Sequence, residues 1–310
     1  MSITEVPLFE MPADDEAATA SASVAVAAAV DEIVVVVEVA LIDEADIDNA
    51  AEPAVARPAS AGVAVLEPEA ERPMVLDAPM PAWAEKLAVF DLETTGIDVE
   101  TSRIVTANVS LLDADGAIEH RSDWLADPGV DIPEQATAVH GVTTARAQAE
   151  GRPAREVVAE IVSALRDALA DGYALVVYNA PYDITLLDRE ARRHDVAPLE
   201  SVSPVIDPLV IDKQVDRYRK GKRTLTAASD YYGVSLTDAH DAGADAVAAG
   251  RVAQAIARRY AAELDLSATD LHAAQSAWHD AQCDSFEDYM RRTRDQNFTA
   301  RRGWPAVPHP

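Results

Sequence analysis

The chain has 310 residues, 49% of them hydrophobic, with 26 Lys and Arg against 54 Asp and Glu and a single cysteine, Cys283. That length and apolar content suffice for one large domain or two small ones, while one thiol excludes an internal disulfide or a multi-thiolate zinc site and fits a reducing cytoplasm. The formal charge of −28 argues at first against a nucleic-acid partner, but residues 1–80 hold only Arg57 and Arg72 against 17 acids, a net of −15, which leaves −13 for everything after them.

Residues 1–80 are acidic and repetitive in Ala, Val, Glu and Pro, with no aromatic residue after Phe9. Such composition buries too little apolar surface to offset chain entropy, so the segment reads as a disordered tail. The β-branched run from Ile33 to Val37 is its one strand-like stretch. Residues 22–42 are apolar enough to suggest a membrane span, but Asp31, Glu32 and Glu38 interrupt them. Each would cost about 2.5–3.5 kcal/mol at mid-bilayer. The start also lacks a positive export region, so no membrane association is expected.

From Trp83 the texture changes. Leu87 to Phe90 reads as a buried strand, 104–112 and 117–125 as a hairpin around Asp113-Ala114-Asp115-Gly116, and Tyr173 to Tyr178 as another buried strand. Helical spacing appears at Val158, Ile161, Val162, Leu165 and Leu169, again after Pro181, and from Ala242 to Tyr260. The alternation predicts an α/β domain on a mixed sheet over residues 81–262. Residues 263–310 form a C-terminal helical extension: Ser267 and Asp270 make a cap pattern, and Leu271, Ala274, Trp278, Ala281, Ser285 and Tyr289 follow at helical spacing. That helix is expected to pack back on the domain.

Four carboxylates and a histidine stand in order along the domain: Asp91 and Glu93 in Phe90-Asp91-Leu92-Glu93-Thr94-Thr95-Gly96, Asp183 in Asn179-Ala180-Pro181-Tyr182-Asp183, then His240 and Asp245. Asp91 and Glu93, two apart on a strand, point to one face. Gathering anions in a fold costs several kcal/mol each unless a cation compensates. Oxygen donors without thiolate favour Mg²⁺ or Mn²⁺, and two such ions are the usual machinery for in-line attack on a phosphodiester. Read singly, each residue has a plainer role: Asp183 as a helix-start acid, His240 as a cap or surface residue, Tyr182 as core packing.

In this order and spacing the residues resemble the DEDDh family of 3′-to-5′ exonucleases, which includes the proofreading epsilon subunit of bacterial DNA polymerase III. The resemblance covers roughly residues 86–260, and Val139-His140-Gly141-Val142-Thr143 looks like the family's His-Gly-Ile-Thr segment. It implies a ribonuclease H-like fold, a mixed sheet flanked by helices. It further implies that Asp91, Glu93, Asp183 and Asp245 hold two Mg²⁺ or Mn²⁺ ions, and that His240 is the general base. Histidine suits that role because its ordinary pKa lies near neutrality. Thr94, Thr95, His140, Asn179 and Tyr182 are then expected at the substrate, with a turn residue as the equal alternative for His140 and with Tyr182 standing where the family usually has Phe. Asp241 reads as a bystander.

The Glu-Thr-Thr-Gly and His-Gly-Val-Thr segments look more like the epsilon-type branch than the oligoribonuclease or RNase T branches, so the expected substrate is the 3′ end of single-stranded DNA, in proofreading or repair, with RNA as the alternative. A non-catalytic nucleic-acid-end-binding module is the other reading, disfavoured because all five positions are intact. Two basic clusters, Lys213 to Arg223 and Arg291 to Arg302, are candidate backbone contacts or solvated faces. Near the chain's start, Glu5-Val6-Pro7-Leu8-Phe9 resembles the Gln-Leu-x-Leu-Phe peptides that dock bacterial replication proteins on the sliding clamp, with Glu5 in place of Gln. A sliding clamp is the partner this implies, and the epsilon-type resemblance adds a replicative polymerase.

Overall fold

The computed structural model describes residues 80–237 and 239–309. The expectations for the acidic tail, the 33–37 run and the clamp-like peptide lie outside the described residues. Six strands form one sheet in the order β4-β3-β2-β1-β5-β6. β1 (Leu87–Thr94), β2 (Ile104–Leu112) and β3 (Ile118–Asp127) make an antiparallel meander. β5 (Ala174–Val176) and β6 (Val205–Ile206) continue beyond β1 in parallel, and β4 (Arg152–Pro153) pairs with β3. The mixed sheet predicted from the alternation is present, and its hairpin turn falls at Asp113 to Gly116, where Asp113 Oδ1 accepts the N–H groups of Asp115 and Ala117.

Eight α-helices accompany it among the described residues: α1 (Glu134–His140), α2 (Thr144–Glu150), α3 (Ala154–Ala170), α4 (Ala180–Arg193), α5 (Pro208–Val215), α6 (Leu225–Tyr232), α7 (Ala242–Arg259) and α8 (Ala268–Thr293). None is long and apolar enough to cross a membrane. α1, α2, α5 and α6 carry no strong periodicity, being only seven or eight residues long.

β1 is buried on both faces and sorts the core by parity. Ala88, Phe90 and Leu92 pack with Val157, Val158, Ile161 and Leu165 of α3 and Ile184 and Leu187 of α4. Leu87 and Val89 pack with Ala246, Ala249, Val252 and Ala253 of α7. Burying a side chain such as Phe90 contributes about 1.5–3 kcal/mol. The small residues of α7 let it approach closely; a Cβ on Gly250 would lie 2.5 Å from Val89 and 2.6 Å from Leu112.

The edge strand β6 is covered by α8 rather than by another strand. Val205 N–H donates to His272 Nδ1, Gln275 Nε2 donates to the Val205 carbonyl, and Asp207 N–H donates to Gln275 Oε1. Side chains thereby satisfy backbone groups that an uncovered edge would expose. Ser267 caps α8 by accepting the Asp270 N–H, as its pattern predicted.

Candidate active site

The parity that buries Leu87 and Val89 under α7 places Asp91 and Glu93 on the same side, one and two pleats further along. α7 runs back along β1, so its first turn meets them. Asp241 caps that helix by accepting the Ala244 N–H, and Asp245 follows in the first turn. His240, exposed and just before the cap, has a φ of 71° and donates its backbone N–H to Asp245 Oδ2 at 3.0 Å. Asp245 Oδ1 is buried and has no protein partner. Donor atoms of Glu93, His240 and Asp245 lie within 4.8 Å of one another.

Asp183 arrives from the other side. β5 pairs with β1 only as far as Val176 opposite Val89, and beyond that point Leu92 donates its N–H to Asp183 Oδ1 at 3.1 Å. Burial and the neighbouring negative charges disfavour ionisation of these carboxyls. Burial, then Asp183, Glu93, Asp245 and Asp241, push the Asp91 carboxyl well above its usual range. Burial, then Asp245, Asp183 and Asp241, do the same to Glu93. Burial raises Asp183 to about 8, against the opposing pull of the Leu92 N–H, and raises Asp245 against the pull of His240. Anions so placed, with an orphaned buried oxygen among them, fit a hard divalent cation.

A family model described as exonuclease, of the RNase T type, matches residues 88–253, which span β1 through most of α7. The chain belongs to this exonuclease family. It is 27% identical over 185 residues to a PolC-type DNA polymerase III of Lacticaseibacillus paracasei, covering 60% of this chain and 12% of that protein. With the PolC-type polymerase of Streptococcus pyogenes serotype M1 it shares 30% over 165 residues, 53% of this chain and 10% of the other. The chain thus spans about a tenth of the length of the curated relatives it matches. Two solved structures share the fold. Escherichia coli exonuclease I in complex with a dT13 oligonucleotide superposes with a TM-score of 0.51 at 18% identity, covering 58% of this chain and 43% of that one. The nuclease domain of 3′hExo, a DEDDh family member bound to rAMP, gives 0.50 at 14% identity, covering 60% and 96%. The matched region is therefore similar in sequence to PolC-type DNA polymerase III and in fold to exonuclease I and the 3′hExo nuclease domain.

The remaining sequence-predicted residues stand in different states. Thr94 and Tyr182 close the turn after β1: Tyr182 OH lies 2.6 Å from both Thr94 Oγ1 and the Gly96 carbonyl. Thr95 Oγ1 accepts the Arg103 N–H, which commits it to the same turn. His140 ends α1, with Nδ1 accepting the Val142 N–H and a buried Nε2 that has no hydrogen-bond partner. Burial lowers its pKa, so the imidazole is neutral and Nε2 carries the proton. Asn179 contributes backbone rather than side chain. At φ 62° it precedes α4 and donates its N–H to Asp207 Oδ1.

Three features correct or add to the sequence reading. Asp241, taken as a bystander, is the α7 cap, and Arg121 ties it at 3.7 Å to Asp123, which in turn accepts from Asn108, the residue paired with Asp91 across β1 and β2. Asp207 is fully buried; Ile206-Asp207-Pro208, an acid between a strand and a proline, was its available signal. Within the first basic cluster, Arg217, Lys220 and Lys222 are exposed but two members are not surface cations. Arg219 and Arg223 are inside, both bonded to the buried Asp212, whose other oxygen accepts from Tyr232 OH. Their loop lies at the far end of α7, where Asp216 bonds Tyr260 OH, some 15 residues or about 22 Å of helix from Asp245.

Proposed function

We propose that the chain is a metal-dependent 3′-to-5′ exonuclease that hydrolyses DNA from its 3′ end and releases mononucleotides. The observation that carries this is the donor group of Glu93, His240 and Asp245 within 4.8 Å of one another, with Asp245 Oδ1 buried and unpartnered and the charges of Asp91 and Asp183 close enough to raise the carboxyl pKa values. In this reading the four carboxylates hold two ions, Mg²⁺ or Mn²⁺. Such ions, when bound, lower the pKa of water and stabilise charge on the phosphate and the leaving 3′ oxygen. His240 is exposed on the solvent side of the carboxylates and accepts the proton of the attacking water, whose oxygen forms the new P–O bond as the bond to the 3′ oxygen breaks. Its backbone bond to Asp245 keeps the imidazole in register with the metal ligands. Thr94, Thr95 and Tyr182 hold the turn after Glu93 in shape for the terminal nucleotide, and the His140 Nε2–H supplies a donor to a substrate oxygen. Asn179 shapes the start of α4.

RNA is the second substrate reading, supported by the rAMP bound to 3′hExo. Degradation of 3′-labelled single-stranded DNA and RNA of matched sequence, with Mg²⁺, Mn²⁺ or EDTA, tests both. Stepwise loss of DNA that EDTA abolishes is the expected result, and no cleavage of either polymer with either ion overturns the proposal. The partner reading is a sliding clamp, reached through Leu8 and Phe9, or a replicative polymerase. Calorimetry of a peptide spanning residues 1–12 against the clamp is its test, with micromolar binding expected, about −8 kcal/mol.

A further inference from the structure

The segment after residue 253 lies outside the family match, yet it reaches the helix that carries Asp183. The contact runs through Asp207, fully buried at the end of β6. Its carboxylate accepts four N–H groups: Asn179 and Leu209 on Oδ1 at 3.0 Å each, Ala180 on Oδ2 at 3.0 Å, and the Trp304 indole on Oδ2 at 3.4 Å. Two of these donors are the cap and first residue of α4, and Asp183 stands in the same first turn. The C-terminal segment also fixes Asp207 from behind, through Gln275 Oε1 on its N–H at 2.7 Å, and the Trp304 ring lies against His272, which holds β6. Past Trp304 the chain lies along α4, where Val307 N–H donates to Thr185 Oγ1 and Arg189 donates to the Val307 and Pro308 carbonyls.

We propose that Asp207 is a positioning residue for Asp183, and that the C-terminal segment, through Gln275 and Trp304, is part of the active-site framework rather than an appendage. The physical reason is the strained entry to α4. Asn179 sits in the left-handed region, which costs a non-glycine residue free energy and persists only where neighbours determine it. The Asp207 carboxylate does so by accepting both N–H groups that follow Tyr178, and Leu92 N–H locates Asp183 from the other side. Releasing Asp207 lets the α4 start relax and Asp183 drift. A displacement near 1 Å at a reacting site is worth on the order of 100-fold in rate.

This inference rests on Asp183 as a metal ligand, so the test separates the two. Asp207→Asn, Trp304→Phe and Asp183→Asn are made in the full chain. Thermal melts, Mn²⁺ binding by calorimetry, and kcat and KM on a 3′-labelled oligonucleotide are measured for each. Asn at 207 presents an amide NH₂ to two of the N–H donors, so kcat is expected to fall on the order of 100-fold, with KM within about threefold and weaker Mn²⁺ binding. Trp304→Phe removes one long hydrogen bond and keeps an aromatic side chain of smaller volume, and the expected loss in kcat is about 3- to 10-fold with the same split. Wild-type kcat and Mn²⁺ affinity in both variants overturn the inference, as does a loss confined to KM. If Asp207→Asn does not fold, Trp304→Phe decides alone. Wild-type Mn²⁺ binding and kcat in Asp183→Asn refute the metal-ligand reading instead, whereas an inactive Asp183→Asn beside two normal variants refutes only this one.

Discussion

Without a bound cation, the site carboxylates are a destabilising group. Asp183 titrates at about 8 in the fold against an ordinary carboxylate near 4, so between those values the folded chain holds a proton that the unfolded chain has released. Metal-free stability is therefore highest toward the acid end of that window and falls as pH rises through it. Asp207, raised to about 6, adds the same sign over the lower half. Melting in EDTA from pH 5 to 8.5 should show a falling Tm, with Mn²⁺ restoring it most at the high end; a Tm that is flat with pH contradicts the raised carboxylates. Removing one charge relieves the repulsion. Asp91→Ala and Asp245→Ala should abolish nuclease activity while the metal-free fold melts no earlier than wild type. Residual activity of Asp91→Ala above about a tenth counts against the ligand assignment. His240→Ala should lower kcat about 10²–10⁴-fold with Mn²⁺ binding little changed, and calorimetry showing lost binding would make His240 a ligand instead of the base.

Among the elements, α7 decides where Asp245 sits, and its closeness to β1 depends on residues without bulk. Gly250 is the sharpest case. Alanine there gains about 1 kcal/mol of helix propensity but drives a methyl to 2.5 Å from Val89 and 2.6 Å from Leu112, both buried. Overpacking of this kind costs about 1–3 kcal/mol, so Gly250→Ala should lower Tm and also reduce activity, because the helix moves off the strand that carries Asp91 and Glu93. A stabilised, fully active Gly250→Ala shows that α7 has slack. By contrast, Asp241→Ala removes a cap worth about 1 kcal/mol and one end of the Arg121 bridge, and its effect should be read in Tm.

For the molecule as a whole, every residue proposed for metal, catalysis or substrate falls between 91 and 245, and the framework residues Gln275 and Trp304 also follow residue 79. Deleting residues 1–79 should accordingly preserve hydrolysis of short oligonucleotides, and removing an excess of negative charge should strengthen DNA binding at low salt. Turnover and salt-dependent binding of the truncated chain check this, and an inactive or insoluble product overturns it.

The gathering of Asp183, His240 and Asp245 with Asp91 and Glu93 was implied only by the family resemblance, but that Asp91 and Glu93 share one face was legible because strand parity is local. β2 and the cap of α8 were legible for the same reason: alternation and a Ser-x-x-Asp pattern are local signals. Short helices such as α5 and α6 escaped because two turns hold too few apolar repeats to show a period. The basic run from Lys213 to Arg223 misled because sequence records charge and not its partner; only folding brings Arg219 and Arg223 onto Asp212. Likewise nothing local joins Trp304 to Asp207, 97 residues away. Residue chemistry was written in the chain, but which charges are consumed inside, and which distant segment steadies Asp183, depended on contacts between elements far apart in sequence, and these only tertiary packing decided.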